Sequence, residues 1–240
     1  MLGDLNETEL SKYPQEQHPI HFRGRRRGRR LRPNLMNLIN EELPNVRINR
    51  ETPFQNPLDL FAHGTNEIWM EIGFGAGEHI SEQAEANPSV GFIGCEPFIN
   101  GVASLLRYVK NKQLANVRVL PDDVRPFLPL LPDHSISRLF ILFPDPWRKK
   151  RHHSRRIIQR ATLNEFYRLL KVGGELRIAT DHPEYLRWIL IHLTNNKGFK
   201  WLARRPTDWR LRPEDWPETR YEKKALLAGR SPIFLTYKKI

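Results

Sequence analysis

Acidic side chains stand where the apolar runs of this chain stop, and that placement is the first sign of chemistry. Glu71 leads into Gly73, Gly75 and Gly77; Glu96 follows "VGFIGC"; Asp122 and Asp123 follow "NVRVLP"; Asp145 precedes Pro146 and Trp147; Asp181 follows "ELRIAT". If these runs are strands of one open α/β sheet, their carboxyl ends share the edge at which such sheets bind ligands. Glycines at alternate positions permit a tight turn and close backbone approach. A dinucleotide fingerprint wants its third glycine at position 78, where this chain has Glu78, a poor neighbour for a pyrophosphate. A glycine loop ringed by carboxylates suits a ligand that carries positive charge and no phosphate, a description that S-adenosylmethionine meets. Glu96, 19 residues after Gly77, is placed to accept hydrogen bonds from ribose hydroxyls. Asp122 or Asp123 could accept from an adenine amino group, and spacing leaves that choice open. Asp145, aimed by Pro146, could accept from a guanine edge, with Trp147 stacking on the base or closing the pocket. Asp181, just before Pro183, could contact substrate or cap the helix that Pro183 starts, and the two roles do not exclude each other.

The elements that must position these groups are legible in the hydrophobic pattern. Residues 67–73, 90–96, 116–123, 136–143 and 175–181 read as strands, mostly continuous in apolar character as buried parallel strands are. Helix-like segments alternate with them at 77–87, 98–112, about 155–171 and about 183–196. Two further strands are expected in "FKWLARRP" and "SPIFLTYKKI". The expected fold is α/β: a doubly wound, mostly parallel, seven-stranded Rossmann-like sheet. At 240 residues the chain suits one large α/β domain. That domain is expected over residues 56–240, preceded by a basic, mobile arm over residues 1–55.

Charge points to the partner. Lys and Arg number 39 against 27 acidic residues, a formal charge of +12, which favours a phosphate-bearing partner, with nucleic acid foremost. Ten residues at 23–32, "RGRRRGRRLR", hold seven arginines and no acid; they repel one another, cannot build a core, and suit bidentate phosphate contacts. A second basic row, seven cations between residues 148 and 160, follows Trp147 directly. No apolar run is long enough to cross a bilayer, and the start shows no secretory leader, so a cytoplasmic protein is expected. The single cysteine, Cys95, allows no internal disulfide and reads as a buried structural thiol; no Cys/His spacing suggests a metal. Monomer and homodimer are both compatible with the sequence.

Taken in order, "EIGFGAGEH", "GCEPFINGV", "FPDPWRKKRHHSRR", "TDHPEY" and "TRYE" resemble the bacterial tRNA (guanine-N7)-methyltransferase family over nearly the whole chain. The resemblance implies a class I S-adenosylmethionine-dependent fold and methyl transfer to N7 of the variable-loop guanosine, position 46 in tRNA numbering. It implies that Glu71, Glu96, Asp123 and Asp145 contact the cofactor or lie against it beside Gly73, Gly75 and Gly77, with Asp145 the catalytic residue. It further implies substrate contact by Lys149, Asp181, Thr219, Arg220, Tyr221 and Glu222. The chain departs from the family pattern at Arg148, where His is often found, and in the longer, more basic "KKALLAGR" after Glu222. Three rivals carry different expectations, of which a nicotinamide oxidoreductase is disfavoured by Glu78 and by the charge balance. An adenine amino-group methylase wants Asp or Asn, then Pro-Pro and an aromatic, but a single proline precedes Trp147. A non-catalytic RNA-binding module would leave the acidic strand ends without work.

Overall fold

The computed structural model describes residues 24–49, 56–62 and 64–240; the first 23 residues of the expected arm and residues 50–55 lie outside it. Seven strands form one sheet: β1 (Glu67–Ile72), β2 (Val90–Cys95), β3 (Val117–Leu120), β4 (Ile136–Leu142), β5 (Leu170–Thr180), β6 (Phe199–Trp201) and β7 (Ile233–Lys239). Their order is β3-β2-β1-β4-β5-β7-β6, with β7 antiparallel to both neighbours and the other pairings parallel. The chain winds outward from β1 to β3, then returns to place β4 on the other side of β1. The crevice at that reversal is where such sheets bind ligands.

The continuous apolar character of the strands follows from burial on both faces. Ile68, Met70 and Ile72 of β1 enter a core shared with Phe166, Trp188 and Ile189, whereas Trp69 enters the opposite one with Ile80, Val102 and Leu105. Period-two alternation therefore distributes apolar side chains to two cores rather than to a core and to water. The helices behind the first core are α4 (Arg160–Leu169) and α5 (Pro183–Thr194). Those behind the second are α1 (Pro33–Val46), α2 (Glu78–Ala86) and α3 (Ile99–Lys112). Two shorter helices follow, α6 (Thr207–Arg210) and α7 (Arg220–Leu227).

Two sequence expectations need correction, and one open alternative is resolved. The stretch assigned to a mobile arm ending at residue 55 includes α1, which packs on α3. Leu43 and Val46 share a core cluster with Leu106 and Val109, and the Ile48 N–H donates to the Val119 carbonyl at 2.8 Å. Self-repulsion applies to the arginine run alone; beyond it, Leu38, Ile39, Leu43 and Val46 fall on one helical face, and Pro33 starts the helix where its missing N–H costs nothing. The helix expected near 155–171 is the shorter α4, because Gln159 and Thr162 form a capping box that fixes its start. β5 correspondingly begins at Leu170, paired with Ile136, and a register shift before Arg138 and a left-handed Gly173 carry it into the regular ladder. Finally, α5 is capped by His182, whose Nδ1 accepts the Tyr185 N–H at 3.3 Å, and not by Asp181.

Docking of the α1 segment is testable. Ile48 is 2 % exposed in the core, so Ile48→Ala is expected to lower unfolding free energy by about 2–4 kcal/mol. Chemical denaturation measures this, and an unchanged midpoint would mean that the segment does not pack.

Candidate active site

Backbone geometry at the end of β1 builds one wall. Gly73, Gly75 and Gly77 all have left-handed φ, 77°, 59° and 85°, which a side chain would strain. The Gly73 N–H donates to the Cys95 carbonyl at 2.7 Å, tying the loop to the end of β2. From the other side α3 approaches so closely that a Cβ on Gly101 would lie 2.0 Å from the Gly75 carbonyl oxygen. Glu96 is thereby drawn under the loop: its Oε2 accepts the Gly75 N–H and its Oε1 the Phe98 N–H, both at 2.9 Å. Each carboxylate oxygen keeps a lone pair for a ligand hydroxyl.

Above this wall opens a cavity of about 450 Å³, lined by Gly73, Gly75 and Glu96, by Asp122 and Asp123 after β3, and by Asp145 and Trp147 after β4. Three strand ends thus deliver carboxylates to one space. Burial pushes the Glu96 carboxyl up to about 7, the nearby Asp145 and Glu71 add to the rise, and the N–H bonds from Phe98 and Gly75 oppose it. Asp145, exposed at the mouth of the cavity, has its carboxyl raised from the ordinary value by partial desolvation there. Burial, with Asp123 and Glu96 beside it, raises the Cys95 thiol well above its ordinary value, so the sulfur stays protonated and is no nucleophile. Arg25, Arg125 and Arg155 line the same cavity, so acids and guanidiniums alternate around it, and Glu96 and Asp145 are the acids there that no arginine pairs with among the described contacts.

The structure distributes the remaining expected residues unevenly. Glu71 is not among the lining residues: it is buried close behind Glu96, and its Oε2 lies 2.7 Å from His79 Nδ1. Gly77 is the N-cap of α2 and is not among the lining residues. Of the late segment, Tyr221 reaches the cavity and its ring packs over Gly75. Thr219 caps α7 by accepting the Glu222 N–H at 3.2 Å, and Glu222 is buried, accepting from Arg212 Nε at 3.0 Å. Arg220 lies 3.5 Å from Glu78. Asp181 is paired at 2.6 Å with Arg230, which comes from the atypical "KKALLAGR" stretch. Lys149 is exposed beyond Trp147.

The arginine run and two residues that the sequence did not single out, Asn100 and Arg125, complete the site. Gly24 and Arg25 line the cavity, and Arg26 pairs with Asp122 at 2.7 Å. Asn100 clips this strand of the arm to α3, accepting the Gly28 N–H and donating to the Arg29 carbonyl, both at 2.8 Å. Arg125 grips Asp123 at 3.1 Å and donates to the Arg155 carbonyl at 2.8 Å. The arginine run was legible as charge, but its path over the cavity was not, because nothing in its composition names Asn100 as the anchor.

Residues 65–235 match the family described as "Putative methyltransferase". The tRNA (guanine-N(7)-)-methyltransferase of Rhodospirillum rubrum is 48% identical over 222 residues, covering 91% of this chain and 87% of that protein. The protein of the same name from Ruegeria pomeroyi is 46% identical over 236 residues, covering 96% and 99%. A solved 16S rRNA methyltransferase shares the fold with a TM-score of 0.52 at 15% identity, over 75% of this chain and 95% of that one.

The electrostatics of Glu96 have a measurable consequence. Its folded-state value, about 7, lies above the ordinary 4.5, so its proton stabilises the fold fully below about pH 4.5 and that contribution is lost as pH rises through 7. The unfolding free energy of the parent minus that of Glu96→Gln is expected to increase by roughly 1–3 kcal/mol between pH 8 and pH 5. A difference independent of pH would remove the claim that this carboxylate is buried without a compensating charge.

Proposed function

The chain belongs to the tRNA (guanine-N7)-methyltransferase family, and from that premise we propose that it transfers a methyl group from S-adenosylmethionine to N7 of the variable-loop guanosine, position 46, in tRNA. The observation that carries this reading is the convergence of Glu96, Asp123 and Asp145 on one cavity in a chain of net charge +12. The donor set fits the methyl donor: its positive charge answers the carboxylates, and the free lone pairs of Glu96 suit ribose hydroxyls. Asp123 retains acceptor capacity beside Arg125 and is the candidate for the adenine amino group. The donor, when bound, supplies an electrophilic sulfonium methyl.

The chain's residues have little proton chemistry to perform. Guanine N7 carries an exposed lone pair, so no base need deprotonate it, and orientation of the reacting groups is the main task. The Asp145 carboxylate is placed to favour the positive charge that develops on the purine. Trp147 and Tyr221 wall the space in which the base is held, with Thr219 and Glu222 fixing the helix that presents Tyr221. Arg148, Lys149, Lys150 and Arg151 stand exposed just beyond Trp147, and Arg25 to Arg27 stand exposed at the arm. Both sets suit tRNA phosphates, with residues 24–32 serving as the RNA-engaging arm of a domain that begins with α1. Asp181 would contact substrate by exchanging its Arg230 partner. Among the described residues no helix is long and apolar enough to cross a membrane.

Incubation with bulk tRNA and a donor labelled in its methyl group tests the assignment: label is expected at a purine N7 and released by mild alkaline cleavage at the variable loop. Label on an adenine amino group, or none, would refute it. Asp145→Ala is expected to lower turnover by about 100- to 1,000-fold, with the donor's KM changed by less than about threefold. Equal loss of both would make Asp145 a donor ligand only.

A further inference from the structure

Seven cations follow Asp145-Pro146-Trp147, and a row of that kind reads as one handle for RNA. The structure divides it. Arg148 to Arg151 and Arg160 are exposed and Arg155 is half-buried, whereas Arg156 is fully buried, with 0 % of its surface open. No phosphate can reach that guanidinium without unpacking the domain, so its charge has another task.

Arg156 lies between α5 and the Asp-Pro-Trp turn. Its Nε donates to the Pro146 carbonyl at 2.9 Å and its Nη2 to Glu184 Oε2 at 2.5 Å. Its guanidinium carbon lies 4.9 Å from the Tyr185 ring centroid and 4.7 Å from that of Trp188, both on α5. Glu184, Tyr185 and Trp188 thus hold the cation on a rigid helix, and the cation holds one carbonyl of the loop. That carbonyl belongs to the peptide entering Trp147, a bulky residue at φ 43°, in the left-handed region that such side chains rarely adopt. Strain of this kind persists only where the surroundings over-determine it, and it collects at functional sites. A second guanidinium supports the far side: Arg125 donates to the Arg155 carbonyl, and the Arg155 guanidinium lies 5.0 Å from the Trp147 ring centroid.

We infer that Arg156 is a positioning residue for methyl transfer: by fixing the Pro146 carbonyl from beneath, it sets Asp145 and Trp147 against the cavity. It acts through the backbone and touches neither substrate. The inference rests on the methyl-transfer reading. That reading fails if the parent protein transfers no methyl to tRNA; this inference fails on the variants below.

Single-turnover rates at saturating tRNA and donor are compared for the parent and Arg156→Lys, which keeps a cation near Glu184 but loses the planar fork that aims separate N–H groups at the two acceptors. The expected result is a fall of about 30-fold or more in rate, with the donor's KM and the slope of log tRNA affinity against log salt unchanged. Loss of about one phosphate's worth of slope with the rate preserved would mark Arg156 as an RNA contact and overturn the inference. Equal falls in rate and in folded fraction would reduce it to a structural residue. If Arg156→Lys does not fold, Glu184→Ala removes the partner whose side chain is 46% exposed. A several-fold loss of rate at unchanged KM is expected there, and an unchanged rate overturns the inference.

Discussion

Burial of the Glu96 carboxylate against the glycine loop is the constraint on which the site depends. An ionised group 8 % exposed is costly unless it is hydrogen-bonded, and here only two backbone N–H groups, from Gly75 and Phe98, meet it. Both depend on the left-handed loop after β1 and on the close approach of α3 at Gly101. The loop, the helix and the end of β2 therefore have one mutually consistent arrangement. The acid at the centre of that arrangement holds its proton up to about pH 7.

The molecule separates its charges by depth. Carboxylates gather in the cavity, while the +12 excess is carried largely at the surface. Where the two meet, arginines bridge them: Arg26 pairs with Asp122, Arg125 with Asp123, and Arg230 with Asp181. These pairs moderate repulsion among the acids and tie the arm, the basic loop and the late helix to the same strand ends. The surface intended for a polyanion and the pocket intended for a cation are thereby mechanically joined, although their fields are opposite.

Legibility differed between features for physical reasons. Strand positions were readable because a strand buried on both faces must be apolar throughout, and Glu96, Asp123 and Asp145 could be placed on one edge because parallel strands share their carboxyl ends. Glu71 obeys the same pattern but is buried against His79 and does not line the cavity. A shift of one residue along a strand reverses the side, and a loop that begins inside the motif obscures which side faces the ligand. The α1 segment was missed because its neighbour's charge dominated the reading of the whole N-terminal region. Arg156 was read with its exposed neighbours because composition assigns charge but not depth.

By itself the sequence determined the α/β order of elements, the set of acids at the strand ends, the glycine turn and the basic rows, since all of these follow from periodicity and local chemistry. Only the tertiary structure decided which acid faces the cavity, which arginine is buried beneath the Asp-Pro-Trp turn, and where the arm crosses. Those depend on contacts between residues as far apart as Gly28 and Asn100 or Asp181 and Arg230, and no local propensity encodes a partner that folding alone brings near.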